Sequence, residues 1–153
     1  MATTVTAADL TVTITESYSL NGVDYGNTMN KTFASNGEVI QRIMTIAAQS
    51  RGSAWTNIIN FGAADAAGVA DITNYKYFRI KNLDNTNFLE LRVTGTADSF
   101  FVKIKAGETF LLMDNEIDAA ASSTTVGTLT DITQIGANAN TDAIDIEFIA
   151  VTA

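Results

Sequence analysis

The chain is predicted to be all-β, an antiparallel β-sandwich of jelly-roll type, and three observations lead there. Threonine, valine, isoleucine and aromatic residues crowd the sequence, the composition of a pleated, half-buried surface. Apolar residues recur at every second position in segment after segment, the period of a strand. Turn dipeptides punctuate those segments at intervals of roughly 8–12 residues, and no convincing long helical pattern appears. Together they predict nine or ten short strands packed as two sheets. The 153 residues suit a single domain over 1–153, long enough to bury roughly 68–70% of the surface of its unfolded chain.

Leu10 to Leu20 alternates most cleanly: Leu10, Val12, Ile14, Tyr18 and Leu20 share one face, and Thr11, Thr13, Thr15, Ser17 and Ser19 the other. Asn21-Gly22 follows, a dipeptide that tolerates the positive φ values of a tight hairpin. Val39 to Ala47 fits either period. Its β-branched residues and the Asn36-Gly37 turn before it favour a strand. Ala54 to Phe61 reads as a strand containing the lone Trp55, and the Ala- and Gly-rich run 62–68 as a surface loop.

Three strands of matching design occupy the middle: Tyr75 to Asn82, Phe88 to Thr94 and Phe100 to Lys105. Phe78 and Ile80, then Leu89, Leu91 and Val93, then Phe100, Val102 and Ile104 form their apolar faces. Asp84-Asn85-Thr86-Asn87 supplies turn chemistry between the first two strands. Ala106-Gly107 turns the chain into Phe110-Leu111-Leu112. A long polar connection through Ala119 to Thr125 precedes a weak strand around Ile132 to Ile135. The last strand is strong, with Ile144, Ile146 and Phe148 inward and Asp145 and Glu147 outward.

Composition narrows the function classes. With Cys 0 and His 0 the chain can form no disulfide framework, no Cys/His zinc site, no cysteine nucleophile and no Ser-His-Asp triad. A non-enzymatic role without a cofactor is expected. Seventeen acidic against nine basic residues leave a net charge of -8. That field repels phosphate backbones and anionic lipid, so neither direct nucleic-acid nor membrane binding is expected. The N-terminal Met1 to Thr6 lacks the pattern of a signal peptide, and no apolar run reaches bilayer length. Synthesis in a cytoplasm is the expectation. Hydrophobic residues make up 46% and charged residues 17% of the chain, a low-charge balance that favours a packed assembly over a free surface.

Six of the nine basic residues fall between Lys76 and Lys105, against Asp84, Glu90 and Asp98, so that segment is about +3 and the rest of the chain about -11. On the faces opposite the apolar ones lie Tyr77, Arg79 and Lys81, then Phe88, Glu90 and Arg92, then Phe101, Lys103 and Lys105. Aromatics among charges mark interfaces. Tyr77, Arg79, Lys81, Phe88, Arg92, Phe101, Lys103 and Lys105 are therefore the candidate interface. The plainer reading is a solvated sheet face with cross-strand charge pairs to Asp145 or Glu147, its aromatics covered by a loop. The carboxylates Asp114, Glu116 and Asp118, and Asp142, Asp145 and Glu147, cluster without the spacing of a calcium loop, which favours solubility and loop solvation over the alternative of a weak Ca²⁺ site at either.

The segments Tyr77-Phe78-Arg79-Ile80-Lys81-Asn82-Leu83-Asp84-Asn85-Thr86-Asn87-Phe88-Leu89-Glu90-Leu91 and Phe101-Val102-Lys103-Ile104-Lys105-Ala106-Gly107-Glu108-Thr109-Phe110-Leu111-Leu112, with the closing Ile144 to Ile149, resemble small virion structural proteins of tailed bacteriophages. The shared pattern is a strand, N-L-D-x-T-N, a second strand, then an A-G-E or P-G-E turn into an aliphatic strand. Ala106 stands where proline is usual. The resemblance implies a sandwich module on the virion, in the first place a capsid decoration or cement protein that bridges major capsid proteins. Its partners would be the major capsid protein or other virion proteins and copies of itself, a trimer suiting local three-fold axes. The alternative is a tail, baseplate or fibre component with a receptor- or glycan-binding sandwich.

Overall fold

The computed structural model describes residues 6–49, 55–62, 70–71, 75–95, 99–114, 116–117 and 130–152. Their strands are β1 (Ala8–Glu16), β2 (Ser19–Leu20), β3 (Val23–Asp24), β4 (Asn27–Asn36), β5 (Glu38–Ile46), β6 (Thr56–Gly62), β7 (Ala70–Asp71), β8 (Tyr75–Asn82), β9 (Leu89–Thr94), β10 (Ser99–Ile104), β11 (Thr109–Leu112), β12 (Glu116–Ile117), β13 (Thr130–Asp131), β14 (Gln134–Ala139) and β15 (Ile144–Thr152). The fold is all-β, and two antiparallel four-stranded sheets pack as a β-sandwich. The first has the order β11-β8-β15-β5 and the second β10-β9-β14-β6, with β7 added parallel to the end of β6. Successive principal strands change sheets at every connection except the β9–β10 hairpin.

Alternation builds the core. Ile144, Ile146, Phe148 and Ala150 of β15 meet Leu89, Leu91 and Val93 of β9 and Ile135 of β14 in one buried cluster. Phe78 stacks on Phe148 with ring centroids 6.1 Å apart. A bulge between Val151 and Thr152 shifts the register of β8, so Tyr75 turns into this core while Tyr77 faces outward. Tyr75 packs edge-on against Phe61 and donates its hydroxyl to the Leu112 carbonyl at 3.0 Å. Burial, reinforced by Asp114, pushes its phenol far above the ordinary value.

The crossing from β8 to β9 depends on a buried amide. Asn82 donates from Nδ2 to the carbonyls of Asn87 (2.9 Å) and Ile104 (3.3 Å), and its Oδ1 accepts from Asp84 N. The Asp84 carboxylate then accepts from Thr86 N and Asn87 N, at 2.7 and 2.6 Å. These bonds, Asn87 foremost, hold its pKa below the ordinary value. Turn chemistry is present as the sequence predicts, and it carries the chain from one sheet to the other. Gly107 takes its turn with φ 74, as expected for the Ala106-Gly107 pair.

Two sequence expectations are revised. Leu10 to Leu20 divides into β1 and the short β2, and the polar segment Asn27–Asn36, which carries no alternation signal, is a ten-residue strand. It forms because β1 pairs with it from Ala8↔Asn36 to Glu16↔Asn27. The weak strand expected at 132–135 lies at Gln134–Ala139, continuing through small residues buried between neighbouring strands. The loop expected at 62–68 and the connection through Ala119 to Thr125 fall, beyond Gly62, outside the described residues.

Candidate functional site

The eight predicted interface residues do not share a face, because β8 belongs to the first sheet whereas β9 and β10 belong to the second. Outward positions on the two sheets point in opposite directions. Tyr77, Arg79 and Lys81 therefore lie on one side of the molecule, and Phe88, Arg92, Phe101 and Lys103 on the other.

On the first sheet, Tyr77 is buried beneath the β1–β4 hairpin. Its ring lies 6.1 Å from Phe33 and packs with Val151, Leu10, Val12, Leu111 and Ile149. This burial raises its pKa against the opposing effect of Arg79. As a candidate contact residue Tyr77 is thus corrected: it anchors a hairpin. Arg79 donates from Nη2 to Glu147 Oε1 at 2.6 Å, the cross-strand charge pair of the plainer reading. Lys81 stays exposed. Near it the outer face exposes Ile43 and Leu83, at 66% and 41%, and farther along β5, in the row of Tyr77, Val39 at 61%.

On the second sheet the candidates do converge. Phe101 pairs with Arg92 and Arg92 with Gly136 in one cross-strand row, and Lys103, Glu90 and Asn138 form the next. Lys103 Nζ sits 4.0 Å above the Phe88 ring. Trp55, which precedes β6, lies 5.5 Å from Phe101 and 6.0 Å from the Arg92 guanidinium. Gly136 lies alongside it: a Cβ there would meet Trp55 Cβ at 3.4 Å, an ordinary contact, and crowd the Thr56 carbonyl oxygen at 3.3 Å. An open cavity of about 610 Å³ adjoins these rows, lined by Phe88, Glu90, Phe101 and Lys103 with Gln49, Asn138 and Asn140. Asn138 fixes the rim through paired bonds of 2.8 Å to the Gln49 backbone. Lys105 lies beyond the strand end and pairs with Glu108 at 3.7 Å.

A third surface went unrecognised in the sequence. The β1–β4 hairpin leaves the body as an arm whose tip is the β2–β3 hairpin. Asn21 and Gly22 close that tip with φ 52 and 81, the turn expected of Asn-Gly. Leu20 pairs with Val23, and the Tyr18 and Tyr25 rings lie 6.0 Å apart, so all four occupy one face. Each is about half exposed, from 49% for Leu20 to 59% for Tyr25. Nearer the body, Val12, Ile14 and Met29 bound an apolar hollow of about 260 Å³ facing Met113. The available signal was the excess of large apolar residues around Asn21-Gly22, which a strand assignment places without saying what covers them.

Among the described residues no three His, Cys, Asp or Glu side chains gather as metal ligands, and no helix is long and apolar enough to cross a membrane. Comparisons with family models, curated protein sequences and solved structures return no match.

Proposed function

We propose that this protein is a structural component of a tailed-phage virion, a capsid decoration protein that stabilises the head by bridging major capsid proteins. The observation that carries the reading is where its exposed apolar side chains fall. Among the described residues the ten large ones occupy three places: the arm with its hollow (Tyr18, Leu20, Val23, Tyr25, Met29, Met113), the outer face of the first sheet (Val39, Ile43, Leu83) and the groove of the second (Phe101). Clustered apolar exposure marks contact surfaces. A bridging subunit needs several of them, held apart by a body that does not deform, and many weak contacts then act together. We assign the Val39, Ile43 and Leu83 face, with Lys81 beside it, to the shell.

The strand order also supports jelly-roll wiring. β5 and β6, β8 and β9, β10 and β11, and β14 and β15 each divide between the sheets, while β9 and β10 stay together, as two Greek keys require. Quantifying the chain against the major capsid protein in purified virions tests the function. Hundreds of copies per particle are expected, and a handful would exclude decoration. A second reading, a glycan- or receptor-binding tail component, draws on Trp55 and Phe101 beside Gln49, Asn138 and Asn140, an aromatic platform with amide groups at its rim. Binding on a glycan array that is lost in Phe101→Ala would favour it.

A further inference from the structure

We infer that the arm tip of one copy docks in the groove of a second copy, so that self-assembly proceeds by arm-to-groove contacts. The tip presents Tyr18, Leu20, Val23 and Tyr25 on one face. A two-stranded ribbon is at best marginally stable alone in water, and among the described residues nothing covers the apolar face of this one, whose four side chains are about half exposed. The groove offers the complementary chemistry, exposed Phe101 and half-buried Trp55 and Phe88 for stacking against tyrosine. Charge matches as well. Glu16 and Asp24 make the exposed end of the arm acidic, Asp24 from the face opposite the tyrosines, while Arg92 and Lys103 flank the groove, Lys103 directly across from Glu90. In a chain of net charge -8, association between copies needs such a local pairing of opposite signs to offset general repulsion.

The contact has to be intermolecular. The base of the arm, Phe33, packs on Tyr77 and Val151 on the outer face of the first sheet. The groove opens on the outer face of the second, with the body of the sandwich between them, its sheets spaced by about 10 Å. Donor and acceptor are thus different surfaces on opposite sides, the arrangement of a head-to-tail contact that closes into a ring when the rotation permits.

The inference deepens the proposed function by naming the contact between copies, and it rests on that reading only for its place on a shell. Its test uses two variants of the full chain, Tyr18→Ser/Tyr25→Ser, which lacks a working arm, and Phe101→Ser/Lys103→Glu, which lacks a working groove. All altered residues are exposed, and an unchanged unfolding midpoint verifies each fold. In sedimentation velocity from micromolar to submillimolar concentration the wild type associates. Each variant alone associates roughly 30-fold or more weakly, the loss expected for one interface anchor. An equimolar mixture of the two restores a dimer and nothing larger, because one intact arm meets one intact groove. A wild type that stays monomeric, variants that associate as the wild type does, or a mixture without dimer each overturns the inference. Shell binding is scored separately. A monomer that still decorates heads ends arm docking and spares the decoration reading, and an arm-to-groove oligomer that ignores heads does the reverse.

Discussion

β15 and β4 are nearly equal in length, nine and ten residues, and both are antiparallel strands, yet they serve the molecule in opposite ways. β15 lies between β8 and β5, and its inward residues Ile144, Ile146, Phe148 and Ala150 are almost wholly buried. Among the described residues β4 pairs only with β1, and eight of its ten residues are exposed. Its outer face is held by side-chain bonds such as Thr13 to Asn30 at 2.8 Å, each of which adds little where water competes. Burial stabilises β15, whereas pairing and a closed turn shape β4. Stability therefore resides in the sandwich, and the arm carries exposed apolar surface.

The largest effect that would sharpen this division is expected from Phe148→Ala. Removing a ring stacked on Phe78 in the core costs about 3–5 kcal/mol, read as a lowered midpoint in chemical denaturation, while Tyr25→Ala leaves the midpoint in place. Next comes Tyr77→Ala, which acts where the two regions meet. Losing the ring under Phe33 costs about 1.5–3 kcal/mol, and amide exchange accelerates in β1 and β4 more than in β15. Equal acceleration in both would show that the arm belongs to the cooperative unit of the body and would break the division.

A smaller effect is expected at the half-exposed Arg79–Glu147 pair on the first sheet. Arg79→Ala costs about 0.2–1 kcal/mol, and that difference shrinks at high salt. The last effect depends on pH. The folded Asp84 carboxyl titrates below its ordinary value, so its stabilisation is present above that ordinary value and is lost as pH falls through the lowered folded one. Asp84→Ala accordingly lowers the midpoint at pH 7, and the gap to wild type narrows in acid as the carboxylate is protonated.

How much of this was legible follows from the same contrast. Tyr75–Asn82, Leu89–Thr94 and Ser99–Ile104 lie within a residue of their predicted limits, because one buried face imposes a period of two on the sequence. β4 carries no such face, so Asn27, Asn30 and Lys31 leave no periodic trace. In β14, Ala137 and Ala139 are buried and Gly136 lies against Thr56 and Trp55, and residues this small leave only a weak apolar period. Alternation also separates inward from outward without saying in which sheet a strand lies. Tyr77, Arg79 and Lys81 were therefore grouped with Phe101 and Lys103, although Asn82 and Asp84 turn the chain across the sandwich between them. Within that group Arg79 pairs with Glu147, Tyr77 lies under the strands of the β1–β4 hairpin, and the groove gathers Phe88, Arg92, Phe101 and Lys103.

The chain contains no cysteine, which makes a site-specific cross-link the most direct test that the arm of one copy meets the groove of another. Val23→Cys and Gln49→Cys proteins, which keep Tyr18, Tyr25, Phe101 and Lys103 in place beside the new thiols, mixed in equal amounts and oxidised mildly, are predicted to yield mainly the mixed disulfide dimer. Formation of that dimer is suppressed by excess unmodified wild type, which competes for both surfaces. A mixed dimer no more abundant than random collision gives, and indifferent to the competitor, would contradict the account.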